Sequence, residues 1–274
     1  MNTFEITTIK RLQPMARPRI YWALADALVL AKRRIVQIPR IPEELIFSTI
    51  QPIMFVLLFR YVFGGSINVG NGVSYVNFLM AGIFTQTVIF GSTTTGIGLA
   101  NDLHNGLIDR FRSLPMAKSA VLTGRTLADL ARNAFVVLVM WIVGLLVGFR
   151  PQGNVFSWLG AIGLLLLVSF AFSWISATIG LLVSSVEAAQ SAGFIWLFPL
   201  TFASSAFAQP RTFPDWLRAF ANAQPVTQMV DAVRGLLLNQ PDATTIWKAL
   251  IWSVGILIVF IPLSVWAYGR RTTR

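Results

Sequence analysis

Residues 156–183 read FSWLGAIGLLLLVSFAFSWISATIGLLV, a run without a charged residue or a proline. A helix needs about 20 apolar residues to cross the roughly 30 Å of hydrocarbon in a bilayer, and in lipid only a helix or a closed barrel satisfies its own backbone. This run therefore predicts a transmembrane helix. It is bounded by the turns 150–155, RPQGNV, and 184–188, SSVEA, whose glycine, proline and polar residues let the chain reverse.

Outward from this run the pattern repeats. Spans are expected at 133–149 and 189–208 on either side, and at 45–63, 78–100 and 246–268 farther out. Composition agrees: of 274 residues 55% are hydrophobic and only 12% charged, with a mean hydropathy of +0.67, where a soluble domain carries roughly 25% charged residues. The expected fold is an all-α integral membrane protein of six transmembrane helices. Residues 45–268 form one membrane domain without an internal repeat of transporter type, preceded by a tail and interfacial helix over 1–44 and followed by a short tail, 269–274.

Before the first span, Tyr21, Leu24, Leu28, Ala31, Ile35 and Ile38 recur at steps of three and four, with Arg19, Asp26, Arg33 and Gln37 opposite. This predicts an amphipathic helix lying among lipid headgroups, with Lys32, Arg33 and Arg34 facing anionic lipid. Pro39 and Pro42 end it. The first apolar run starts too far from Met1 for a cleaved secretory signal.

The net charge of +11 would suggest nucleic acid in a soluble protein. Here the cations sit in tails and loops, where the positive-inside rule places them, so no nucleic-acid partner is expected. Eight Lys and Arg fall in 1–44, five in 101–132 and three after Gly269, against six in the segments on the other side. Sixteen against six puts both termini in the cytoplasm of a multi-pass protein of the cell membrane, and a bacterial one is expected.

Several chemistries are excluded. There is no cysteine and His104 is the sole histidine, so no thiolate chemistry and no multi-histidine metal site is expected. No lysine follows a glycine, so the chain lacks a phosphate loop of the G-x-x-x-x-G-K-[ST] kind. If ATP drives it, ATP and Mg must sit on a separate subunit that touches a cytoplasmic element of this chain. The candidate element is 101–118, NDLHNGLIDRFRSLPMAK, in which Leu103, Leu107, Phe111 and Leu114 fall at helical spacing and Pro115 stops the helix. From pattern alone, a passive interfacial helix explains it equally well.

The span 78–100 is unusual, because Thr85, Gln86, Thr87, Ser92, Thr93, Thr94 and Thr95 crowd it. Tight helix packing and a substrate path both account for such a stretch. With the aromatic residues around Phe194, Trp196, Phe198 and Phe202, the candidate path comprises Thr85, Gln86, Thr93, Phe198 and Phe202. Residues 209–245 are too broken by Pro210, Pro214, Pro225 and Pro241 to span, and read as short amphipathic or re-entrant helices on the outer side. Asp129 and Arg132, like Asp231 and Arg234, stand three apart, the spacing of a local ion pair. Gly144 and Gly148 form a lone G-x-x-x-G.

At 101–118 the sequence resembles the type 2 ATP-binding-cassette permeases, in particular the daunorubicin-resistance branch of drug and lipid exporters. Gly106, Asp109, Arg110, Phe111, Arg112, Ser113, Leu114 and Pro115 match that family's first cytoplasmic loop in order, while His104 replaces its usual Glu and Leu107 its usual Thr. A second match is Gln224-Pro225-Val226-Thr227, followed by Asp231 to Leu237 with Arg234. The resemblance implies that Asn105, Gly106, Asp109, Arg110, Phe111, Arg112 and Pro115 belong to a coupling helix docking into a nucleotide-binding ATPase subunit. It also implies a second permease, either another copy or a paralogue, and an outer segment in which Pro225, Asp231 and Arg234 matter structurally. The export direction comes from the resemblance alone.

The expected function is thus the permease subunit of an ATP-driven exporter of an amphipathic drug, antibiotic or lipid-like molecule, with no catalytic residue of its own. An ion-coupled carrier or channel is the alternative, and it would place ionisable groups at mid-membrane, where the predicted spans have almost none. An intramembrane hydrolase would need a nucleophile and base facing each other within the spans, and the sole histidine lies in a loop.

Overall fold

The computed structural model describes residues 19–37, 42–64, 74–107 and 118–271, and all regular structure among them is helical. In chain order the helices are α1 (Arg19–Gln37), α2 (Pro42–Leu57, continued by a π-helical stretch Leu58–Phe63), α3 (Tyr75–Gly91), α4 (Thr93–His104), α5 (Lys118–Val147), α6 (Val155–Leu182), α7 (Val186–Phe202), α8 (Asp215–Ala223), α9 (Pro225–Leu237) and α10 (Ala243–Arg271).

Among the described residues, five segments are long and apolar enough to cross a membrane: Leu45–Phe63, Tyr75–His104, Ser119–Val147, Val155–Leu182 and Ala243–Arg270. The sixth expected crossing, 189–208, forms the 17-residue α7. At 1.5 Å per residue that is about 25 Å of helix. The chain leaves the helix after Phe202, and the side-chain amide of Gln224 takes the carbonyls of Leu200 (2.7 Å) and Ala203 (2.9 Å) at that end.

Two other boundaries differ from the sequence expectation. The second span is two helices broken at Ser92 rather than one. The helix of the third expected span, α5, begins at Lys118, not near Asn133, so much of the polar stretch 101–132 is helical. Its charges are tolerated because the neighbouring helix answers them, which hydropathy along one chain cannot register.

α3 is the centre of the bundle, with every side chain from Tyr75 to Phe90 buried. It packs against α2, α5, α6 and α9. This accounts for its polar residues, since a helix wrapped in protein has no lipid face to keep apolar. α2 and α10 lie at the periphery and expose Ile46, Phe47, Met54, Trp247, Ile251 and Ile258, the pattern of lipid-facing helices. α9 is buried through Val226, Met229, Val230, Val233 and Leu237 against α3, α6 and α10.

α1 lies along α5, with Ala27 and Ala31 buried against it. At Gly124 on α5 a side chain would come within 2.8 Å of the Ala27 carbonyl and the Leu30 Cβ. Of the expected apolar face, Ala31 is buried while Leu28 and Ile35 are exposed; the side chains of Tyr21, Leu24 and Ile38 lie outside the described residues. Small residues face the protein, and the large ones remain for lipid.

Candidate functional site

A cleft opens between α2, α3, α5 and α7 where α3 gives way to α4. α2 contributes Ser48, Gln51, Pro52 and Phe55, and α7 contributes Gln190 and Phe194. The wall formed by α3 and α4 carries Gln86, Thr87, Phe90, Thr93 and Thr94, and α5 supplies Arg132, Asn133 and Val136. Of the expected path residues, Gln86 and Thr93 line this cleft. Thr85 does not: it is fully buried, and its hydroxyl donates to the Ala81 carbonyl of its own helix (2.9 Å).

Phe198 and Phe202 lie beyond the cleft on an aromatic ladder. Phe90 meets Phe194 at 5.8 Å and Phe198 edge-on at 5.2 Å. Phe198 stacks on Phe202 (5.7 Å), Phe202 on Phe207 (5.0 Å) and Phe207 on Phe59 (4.5 Å). Phe198 is 44% and Phe202 41% exposed. The ladder leads from the cleft to the surface as a continuous apolar face.

Behind the cleft the helix break is held by polar contacts. The Thr95 N–H turns to the Ser92 carbonyl (3.1 Å). The Gly91 carbonyl accepts instead from Arg132 (2.7 Å) and from the Thr94 hydroxyl (2.8 Å). Arg132 also donates to Thr94, and Asn133 donates to Ser169 on α6 (2.7 Å). One turn below, Asp129 accepts from the Thr95 hydroxyl (2.7 Å), and Arg125 pairs with Asp102 and approaches Asp129 (3.9 Å). Arg125, Asp129 and Arg132 are all buried. These ionisable groups stand in the first half of the candidate span Ser119–Val147, ahead of the expected start of the third span near Asn133.

α4 is clamped to α6. The Ser176 hydroxyl accepts from the Gly96 N–H (3.2 Å) and donates to the Thr93 carbonyl (3.1 Å). A side chain at Gly96 would overlap the Ser176 carbonyl, and one at Gly180 would overlap that of Gly96. This close crossing depends on glycine in both helices. At Gly144 of the predicted G-x-x-x-G an added Cβ would press on Met80, whereas Gly148 ends α5 with a φ of +101°. The Phe149 N–H reaches Gly144 O (2.8 Å) and the Gly148 N–H reaches Leu145 O (3.3 Å), a Schellman closure.

The far end of α4 enters the expected coupling segment. Asn105 caps the helix, its amide bonding Asn101 (3.2 Å), and Gly106 turns the chain with a φ of +67°. Asp109, Arg110, Phe111, Arg112 and Pro115 lie outside the described residues. In the outer segment, Pro225 starts α9 at its first turn, where a missing N–H costs nothing. Arg234 donates to the Phe78 carbonyl (3.2 Å), to Asp231 (2.5 Å) and to the Ser205 carbonyl (2.6 Å), and lies 3.7 Å above the Phe78 ring. Ser205 bonds Asp231 in turn (2.7 Å). Burial pushes the Arg234 pKa down to about 10, so the group stays charged near neutrality.

Sequence reasoning missed Ser48, Gln51, Thr87, Arg132, Asn133 and Gln190 as cleft residues. For Gln51 and Gln190 a signal existed, an uncharged amide inside an apolar run.

Comparison with known proteins places this architecture among transporters. Residues 26–238 match the family model described as ABC-2 type transporter. The chain is 32% identical over 255 residues to the daunorubicin resistance ABC transporter permease protein DrrB1 of Streptomyces coeruleorubidus, covering 93% of this chain and 90% of that protein. It is 25% identical over 251 residues to the "Probable doxorubicin resistance ABC transporter permease protein DrrC" of Mycobacterium tuberculosis, with 91% and 90% covered. To the inner membrane transport permease YadH of Escherichia coli it is 22% identical over 235 residues, with 84% and 88% covered.

Proposed function

Because the chain belongs to the ABC-2 type transporter family, we propose that it is the permease subunit of an ATP-driven exporter, moving an amphipathic drug, antibiotic or lipid-like molecule out of the cytoplasm or inner leaflet. The observation that carries this reading is the layout of α4. One end of the helix starts at the break beside the cleft, and the other enters the segment that resembles the family's coupling helix. α4 is also pinned to α6 and α5, so a displacement at Asn105 and Gly106 is passed to the cleft wall.

In this reading ATP and Mg bind a separate ATPase subunit, which docks on Asn105, Gly106, Asp109, Arg110, Phe111, Arg112 and Pro115. α7 is the sixth crossing, both termini are cytoplasmic, and α8 and α9 form the outer re-entrant segment held by Pro225, Asp231 and Arg234. A second copy or a paralogue completes the path in a bacterial cell membrane. Gln86 and Thr93 face the passing molecule in the cleft, and Phe198 and Phe202 line its continuation.

The test is co-expression of this chain with a cognate ATPase, followed by mild-detergent purification and assay of ATP hydrolysis and export. Replacing Arg110 and Arg112, or placing proline at Ile108, should leave the protein in the membrane but disconnect export from hydrolysis. Unchanged export would remove the coupling assignment.

The buried Arg125, Asp129 and Arg132 favour a second reading, an ion-coupled carrier. Counting about 20 residues back from Val147 sets the inner membrane edge near Ala128, so Asp129 and Arg132 stand close to that edge rather than at mid-depth. Export that follows a proton gradient without any ATPase would select this alternative.

A further inference from the structure

Gln86 and Thr87 stand side by side on α3, both lining the cleft, and the protein leaves their polar groups unanswered. Thr87 is 8% exposed, and its hydroxyl has no hydrogen-bond partner. A threonine inside a helix commonly returns its hydroxyl to a carbonyl three or four residues back. Thr85, Thr93 and Thr94 do so here, toward Ala81, Phe90 and Gly91. Gln86 is 4% exposed, and no protein hydrogen bond engages its amide. Buried polar groups in folded proteins are nearly always paired, so the orphaned Thr87 hydroxyl, beside an unengaged Gln86 amide that opens to the same cavity, marks a place where a ligand supplies the partners.

The rest of the cleft defines what that ligand is. Phe55, Phe90 and Phe194 give it flat apolar walls, and Gln51 and Gln190 bring further neutral amides from the helices opposite. Among the described residues lining it there is no carboxylate, and the one charged group is the Arg132 guanidinium. An ammonium ion entering would lose its water and find no counter-ion, a costly transfer. A carbonyl or hydroxyl oxygen would find amide and hydroxyl donors, and a ring system would find aromatic faces.

We propose that Gln86 and Thr87 form the recognition subsite of this cleft, and that the subsite takes an uncharged, flat, apolar molecule bearing carbonyl or hydroxyl oxygens in preference to an amine-bearing cation. Calling that molecule cargo rests on the exporter reading above; the binding itself does not.

The experiment uses the purified full-length chain in detergent, without an ATPase. Equilibrium dialysis compares a neutral hydroxyflavone with the same ring system carrying a primary aminoethyl group, charged at neutral pH, and the uptake of protein-free micelles is subtracted. The neutral probe should bind saturably and at least tenfold more tightly than the cationic one. Gln86→Leu and Thr87→Val, which keep shape and remove the polar groups, should each weaken it fivefold or more, while Thr87→Ser stays within twofold. Absence of saturable neutral binding, equal or tighter binding of the cation, or unaltered affinity in well-folded Gln86→Leu and Thr87→Val would each overturn the proposal. Should those variants fail to fold, the comparison of the two probes on the unaltered chain decides. A chain that joins its ATPase yet binds no neutral probe refutes only the subsite, and one that binds the probe yet joins no ATPase refutes only the exporter.

Discussion

Arg132 and Gly91 belong to different helices, yet the guanidinium of the first donates to the carbonyl of the second at 2.7 Å, where the backbone ladder of α3 stops. In a bilayer an unanswered carbonyl is costly, so a break in the middle of a membrane helix persists only where another group replaces the lost donor. Arg132 and the Thr94 hydroxyl are those groups.

Arg132→Met should therefore destabilise the protein by about 2 kcal/mol, the worth of a charged hydrogen bond. Arg125→Met should cost more, about 3–5 kcal/mol, because it strips Asp102 and Asp129 of a cation. Thermal unfolding followed by scanning fluorimetry in detergent checks both, and the order Arg125→Met below Arg132→Met is the expected result.

Gly96→Ala and Gly180→Ala should each drive α4 and α6 apart, since the new methyl would overlap backbone in the partner helix. Overpacking of this kind costs about 1–3 kcal/mol or more. Gly163→Ala, inside α6 with nothing within 4 Å of the added carbon, should hold or slightly raise the unfolding temperature, because glycine inside a helix costs about 0.5–1 kcal/mol relative to alanine. Equal behaviour of the three variants would contradict the close crossing.

Arg234→Lys should lower stability by about 1–3 kcal/mol, because an ammonium cannot reach the Phe78 carbonyl, Asp231 and the Ser205 carbonyl together while lying over the Phe78 ring. Burial lowers the arginine pKa to about 10, below its unfolded value. Between pH 7 and 9 the arginine proton stays bound in both states, so the gap between wild type and the untitratable Arg234→Met should be constant over that range. A gap that closes by pH 9 would show that the guanidinium is not held as described.

Asp242 accepts from the N–H groups of Thr244 (3.2 Å) and Thr245 (3.0 Å) at the start of α10, and these bonds, with the Thr245 hydroxyl foremost, hold its pKa below the ordinary carboxylate value. A carboxylate with a depressed folded pKa lends stability above its unfolded pKa, about 3.9, and loses it as pH falls through the folded one. The amide proton resonances of Thr244 and Thr245 should accordingly titrate together below that value, and should stop doing so in Asp242→Ala.

Much of the fold is legible in the sequence because lipid imposes a length and a polarity on each crossing. The run 156–183 corresponds to α6 within a residue at each end, and the prolines of 209–245 do bound short helices. What escaped is what depends on a second helix. Lys118 to Arg132 reads as a loop until Asp102, Thr95 and Gly91 are seen to take its charges. Thr85 and Gln86 differ by one residue, about 100° around a helix, and only the packing shows which of them meets the cleft. The family motifs at Gly106 and Arg234 were legible as residues, but the contacts of Arg234 with Phe78 and Ser205 span more than a hundred positions and about thirty respectively, and no local pattern carries them.

The burial of α3 also bears on how the protein is made. Tyr75–His104 has the lowest mean hydropathy of the five candidate crossings, 1.3, and the greatest buried share, 94%. It leaves the ribosome before α5, α6 and α9, the helices that cover it. During synthesis its glutamine and threonines have lipid or the insertion machinery for company until those later helices arrive. Assembly therefore cannot proceed strictly in chain order, and a chain cut short before α9 would leave its least lipid-compatible helix partly uncovered, a ready target for membrane quality-control proteases.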